Sequence, residues 1–295
     1  MSIIDKLTKR SLITPPKHLK NSIQFEAMVG STAYGVAGET SDIDIYGFSI
    51  PPKGVIFPHL DGFIPGFDTQ TNKFEQYQQH HIIDKTDIKE YDITIFNIVK
   101  YFTLCMQNNP NIIDSLFVPQ RCIVHITQIG ELVRGNRKLF LHKGSWHRFK
   151  GYAYSQLHKM KIKKPNPESK RYESVQKYGF STKFALHIIR LLNEVEQILM
   201  KGDLDLEENR EQLKSVKNGG CTQDQIFKYF DEKEKQLEEV YLKSTLQYKP
   251  NKDKIRNLLI DCLEQYYGDL NKVIRKKIDV DVFLEDLGNF IDSYK

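Results

Sequence analysis

No apolar run in the 295-residue sequence approaches the roughly 18 residues that a bilayer crossing needs, which argues against a membrane span. Residues 1–20 alternate charges with short apolar pairs instead of building the core of a secretion signal, so a cytoplasmic protein is expected. Cysteine is scarce: Cys105, Cys122, Cys221 and Cys262 lie far apart with no C-x-x-C pair, excluding a readable disulfide framework or zinc finger. The nine histidines include no pair at metal-helix spacing, and the adjacent His80 and His81 would point to opposite faces of a strand. Also missing are internal repeats, low-complexity tracts, a G-x-S-x-G elbow and a G-K-[ST] phosphate loop, since Val36 and Ala37 follow Gly35. These absences argue against a Walker NTPase and a serine hydrolase of the elbow type.

What is present divides into two parts. Residues Ser22–Gly30, Ser41–Ile50 and Phe74–Ile83 read as extended segments, separated by glycines and prolines at 51–66. From Ile95 the apolar spacing turns helical until Asn108-Asn109-Pro110. Helices are then expected over 128–141, 146–163, 181–200, 223–242 and 253–273, broken at Pro165-Asn166-Pro167 and Gly219-Gly220. The pattern predicts an α+β protein: a mixed-sheet domain over 1–125 followed by an all-helical domain over 126–295.

The chemistry concentrates between Met28 and Gly47. An apolar strand runs into Gly30-Ser31, a turn and short helix are expected, and after ten intervening residues comes Asp42-Ile43-Asp44. Strand side chains alternate, so Asp42 and Asp44 share one face while Ile43 and Ile45 enter the core. Paired carboxylates repel unless a cation or proton neutralises them, and Mg2+ or Mn2+ suits carboxylate oxygens together with substrate phosphates. Glycine admits a phosphate close to the backbone, and the Ser31 hydroxyl and nearby amides could hold a pyrophosphate. Together these parts describe metal-dependent transfer from a nucleoside triphosphate (NTP).

Gly30-Ser31 followed by Asp42-Ile-Asp44 resembles the signature of the DNA polymerase β-like nucleotidyltransferases. More narrowly, the chain resembles the predicted nucleotidyltransferases called YcgL or RlaP, associated by name with RNA repair. The supporting segments are 30–35, 109–117, 149–157 and 183–192, which extend over most of the chain. The resemblance implies a catalytic mixed-sheet domain with a helical partner, Asp42 and Asp44 as metal ligands, and a third carboxylate on a neighbouring strand. By position Asp92 is the candidate; its competing reading is a helix cap, and Asp84 and Asp87 are alternatives. At Asp114 the chain departs from the family, where glutamate is expected.

In the helical half, Lys183, His187, Arg190 and Glu194 form a polar line beside an apolar stripe. The first three are candidates for binding the nucleotide across a cleft. Between Arg137 and Arg171 eleven basic residues face one acid, a local balance of +10 in a chain of net formal charge +5. Such a stretch suits a polyanion, and Lys159, Lys161, Lys163 and Lys164 are expected to touch RNA while the neighbouring aromatics pack. The expected function is transfer of a nucleoside monophosphate to an RNA acceptor. Alternatives are modification of a protein or small molecule, or a non-catalytic RNA-binding module.

Overall fold

The computed structural model describes residues 1–39, 41–56, 74–162 and 170–268. Five strands form one mixed sheet: β1 (Ile23–Met28), β2 (Ile43–Ser49), β3 (Gln76–Asp84), β4 (Lys89–Asn97) and β5 (Ile123–Ile126), in the order β3-β4-β2-β1-β5. β1 pairs antiparallel with β2 and β5, β3 pairs antiparallel with β4, and the central β2–β4 pair is parallel. The helices are α1 (Ile3–Lys9), α2 (Lys53–Ile56), α3 (Ile98–Met106), α4 (Pro110–Phe117), α5 (Gln128–Gly135), α6 (Ser145–Ile162), α7 (Lys170–Tyr178), α8 (Thr182–Lys201), α9 (Arg210–Lys217), α10 (Gln223–Lys243) and α11 (Lys252–Tyr267). The expected α+β class is the fold observed.

Alternation along the strands sorts the sheet into two faces. Ile45 of β2 and Tyr91, Ile93 and Ile95 of β4 pack with Ile4 and Leu7 of α1. Phe48 and Phe96, on the opposite face, join a larger cluster that continues through Phe102, Phe149, Leu192 and Leu258. This cluster runs across the expected division at 125/126, which falls inside β5.

Helical periodicity misplaced one boundary. Ile95 belongs to β4, and Asn97 is the N-cap of α3, its side chain accepting the Val99 amide at 2.9 Å. Pro110, expected only to stop a helix, opens α4 behind an Asn109 cap, because its missing N–H costs nothing in a first turn. The expected 128–141 helix ends at Gly135 and resumes as a 3-10 turn over 137–140. The break at 165–167 and the stretch 269–273 lie outside the described residues.

Candidate active site

A cleft of about 480 Å3 opens beside β2 and β4, walled on the other side by α8 and α9. Asp42, Asp44 and Tyr46 line it, as alternation along β2 requires, whereas Ile43 and Ile45 pack toward α1. Asp92 lines it too. Asp44 and Asp92 are register partners across the parallel pair. Asp92 is therefore a strand residue, and the helix-cap reading falls because Asn97 holds the cap. Asp84 and Asp87 are engaged elsewhere, Asp84 with Arg10 and Asp87 with Lys6 and Arg10.

Burial drives the electrostatics at Asp44. Desolvation first, then the Asp92 and Asp42 carboxylates, push its carboxyl up to about 6, with Lys183 and His80 pulling the other way. The donor set is three hard carboxylates, Asp44 and Asp92 from neighbouring strands and Asp42 from the residue before β2, with Asp44 costly to ionise without a cation. By donor chemistry Asp42, Asp44 and Asp92 would suit a divalent ion of the Mg2+ or Mn2+ type.

Gly30 sits at φ +63°, and a Cβ there would lie 2.5 Å from Asp44 Oδ2. Both the left-handed backbone and the carboxylate demand glycine. The expected short helix after Ser31 is a hydrogen-bonded turn: Tyr34 N donates to Gly30 O at 3.2 Å and Val36 N to Ser31 O at 2.9 Å. The Ser31, Thr32 and Ala33 amides take no part in that pattern. Arg121 grips the turn from outside, donating to Thr32 O at 3.1 Å while pairing with Glu207 at 2.7 Å.

The polar line on α8 divides with depth. Lys183 is exposed and His187 half-buried, and both line the cleft with Thr182 and Leu186. Arg190 lies one and two turns deeper, only 3% exposed, and is absent from the cleft lining. It ion-pairs with Asp114, hydrogen-bonds the Tyr34 hydroxyl, lies over that ring at 4.8 Å, and has Glu194 Oε1 at 3.5 Å. Tyr34 in turn donates to Asp114 Oδ2 at 2.6 Å. Burial pushes the Asp114 and Glu194 carboxyls up while Arg190 pulls both down. The shorter Asp114, anomalous in sequence, is the buried counter-ion of Arg190.

Sequence reasoning missed Lys217, Tyr34, Tyr46 and Asn111 in the cleft lining. Lys217 ends α9 and donates to Val36 O at 2.6 Å, and burial lowers its pKa. A Gly219-Gly220 break was the sole sequence sign that α9 ends there.

At the outer edge the pairing slips between Gln79 and Ile82, so His80 and His81 together oppose Asp92. This bulge, with His81 at φ +54°, corrects the expected opposite-face arrangement. The His81 amide donates to Asp92 Oδ1 at 2.8 Å, His80 Nδ1 stands 3.4 Å from Asp92 Oδ2, and the His81 ring meets Glu90 at 2.6 Å. His81, Glu90 and Asp92 offer ligand atoms within 4.8 Å of one another.

Among the described residues, two cations of the basic segment are matched by acids. Lys150 pairs with Glu234 and Glu238 of α10 at 2.7 and 3.1 Å, Lys138 with Asp203 at 2.6 Å, and Lys143 is buried against the Tyr241 and Tyr248 rings. Trp146 and Phe149 are in the core. Lys159 and Lys161 are exposed at the end of α6; Lys163 and Lys164 lie outside the described residues. Among the described residues no helix is long and apolar enough to cross a membrane.

A mixed sheet with Asp44 on one strand, Asp42 just before it, Asp92 on the parallel neighbour and a Gly-Ser turn at their side is the arrangement expected of a nucleotidyltransferase. Residues 8–269 match the family model described as RlaP, the RNA repair pathway DNA polymerase beta family, and the chain belongs to that family. No curated protein matches the chain. Among solved structures, a nucleotidyltransferase-like protein from Exiguobacterium sibiricum 255-15 is similar over 93% of this chain and 79% of its own. The identity is 9% and the TM-score 0.29, so the assignment rests on the family match.

Proposed function

We infer that the protein is a metal-dependent nucleotidyltransferase that moves a nucleoside monophosphate from an NTP to a hydroxyl of an RNA acceptor. The observation that carries this reading is the convergence of Asp42, Asp44 and Asp92 on one cleft with Gly30-Ser31 and Lys183. The acceptor oxygen bonds to the α-phosphorus, the bond from that phosphorus to the bridging oxygen breaks, and pyrophosphate leaves. A divalent ion held by Asp42, Asp44 and Asp92 would supply charge neutralisation for the phosphoryl oxygens.

The chain's own groups do the rest. Asp92, at the sheet's outer side, accepts the proton of the attacking hydroxyl. The Ser31 hydroxyl and the amides of Ser31 to Ala33 bind the departing pyrophosphate, which Gly30 allows to approach the backbone. Lys183, His187 and Lys217 face it from the helical side as cations or donors. Arg190 acts at one remove, by fixing Tyr34 and with it the turn.

A second reading, with a protein or small molecule as acceptor, is favoured by the neutralisation of Lys150 and Lys138 by acidic partners. Both are tested by incubating the protein with each α-labelled NTP and Mg2+ or Mn2+, with and without cellular RNA, beside Asp42→Asn. Label entering RNA with the intact protein alone supports the first reading. RNA-independent label on protein or small molecules supports the second, and equal labelling by Asp42→Asn overturns the assignment of the site.

A further inference from the structure

β3 is an edge strand, a place proteins usually guard with lysine or proline against stray pairing. Here the strand carries amides and imidazoles instead. Gln76 and Gln78 stand opposite Phe96 and Thr94 of β4, on the face that also carries Asp92, two residues before Thr94. The side chains form a connected row: Gln76 Nε2 donates to Gln78 Oε1 at 3.0 Å, Gln78 Nε2 meets His80 Nε2 at 2.6 Å, and His80 Nδ1 stands 3.4 Å from Asp92 Oδ2. All three residues are exposed among the described residues.

Two kinds of recognition therefore flank Asp92. Toward α8 and α9 stand the cations Lys183 and Lys217, suited to phosphates. Away from them stretch amides and an imidazole, which both donate and accept and carry no fixed charge. Ribose hydroxyls and base edges present that same mixture of donors and acceptors. From His80 to Gln76 the strand extends about 13 Å at the usual rise per residue.

We propose that the Gln76–Gln78–His80 row seats the terminal nucleotide of a single-stranded RNA and delivers its terminal hydroxyl to Asp92. This rests on the reading of an RNA acceptor given above. The row places the acceptor on the opposite side of Asp92 from the nucleotide, and it accounts for the bulge. By standing both His80 and His81 against one residue, the bulge holds the Asp92 carboxylate at the junction of the two halves.

The test uses the full chain, Mg2+, a labelled NTP and a short single-stranded oligoribonucleotide, comparing the unsubstituted protein with Gln76→Ala/Gln78→Ala. Loss of two exposed hydrogen-bonding groups is expected to raise the KM for the oligonucleotide about tenfold or more and to leave the KM for the NTP within about twofold. The preference of the unsubstituted protein for a ribose end over a 2′-deoxyribose end is expected to shrink in the variant, which a merely structural role would not produce. An unchanged KM for RNA, or a rise confined to the NTP, overturns the row while leaving the RNA reading standing. If the unsubstituted protein labels no RNA although it binds Mg2+ and NTP, the acceptor reading fails and the row falls with it.

Discussion

Asp44 and Asp92 stand directly opposite each other on parallel strands, although 47 residues separate them in the chain. Asp92→Asn is expected to abolish transfer, by at least about a hundredfold in kcat, while NTP binding persists through the groups on the Asp42 side of the cleft. Single-turnover assays beside calorimetric titration of the nucleotide separate the two effects. Full activity in the variant would remove Asp92 from the catalytic set.

The pH dependence of metal binding follows from Asp44. With its carboxyl pushed up to about 6 by burial first and by Asp92 second, the site binds its ion fully above that pH. Below it a proton competes, and Mn2+ affinity is expected to weaken about tenfold per pH unit toward pH 5. Calorimetry from pH 5 to 8, in buffers of differing ionisation heat, reads both the affinity and the proton released. A flat profile would mean that Asp44 does not hold the ion.

Gly30→Ala places a methyl against Asp44 Oδ2 and a side chain at φ +63°. The backbone alone costs about 1–2 kcal/mol, and relief of the clash must move either the turn or the carboxylate. Activity is expected to fall far more than the melting temperature. A variant with unchanged kcat would remove the turn from the site.

Stability has its own pH signature. Glu26 is buried beneath α1, accepts the amides of Ile3 and Ile4, and has its carboxyl pushed up to about 7, chiefly by burial, from an ordinary 4.5. The folded protein holds this proton more tightly than the unfolded chain, so stability declines as pH rises from about 4.5 to 7, by up to about 3 kcal/mol from this group. Glu26→Gln is expected to flatten that decline in urea titrations at pH 5 and 8. An undiminished decline would locate its source elsewhere.

Removing Asp114 leaves Arg190 charged beside Glu194 without its main partner. Asp114→Ala is expected to destabilise the protein by about 3–5 kcal/mol, which denaturant unfolding measures. A loss under about 1 kcal/mol would mean that water reaches the pair.

The local half of this site was written in the sequence. Alternation at Asp42-Ile43-Asp44 needed only a strand, and Gly30-Ser31 announced a turn. What sequence could not convey was pairing: the β2–β4 register and the bulge at His81 depend on strands far apart in the chain. The stripe on α8 shows the same limit. Lys183 and Arg190 share a helix face, yet about 10 Å of rise separates a solvent-lined wall from a dry interior. The partners of the +10 segment were hidden for a related reason, since Glu234 and Glu238, which answer Lys150, lie more than eighty residues away.

The Arg190 knot also sets how the molecule can move. It fastens α8 to α4 and to the turn after Gly30, beneath the floor of the cleft. Parting the walls like a clamshell would drag a guanidinium away from a buried anion, at a cost of about 3–5 kcal/mol. The buried pair thus ties the relative placement of α8, α4 and the turn, whereas Lys183, exposed on the same helix, can change rotamer without disturbing any of them.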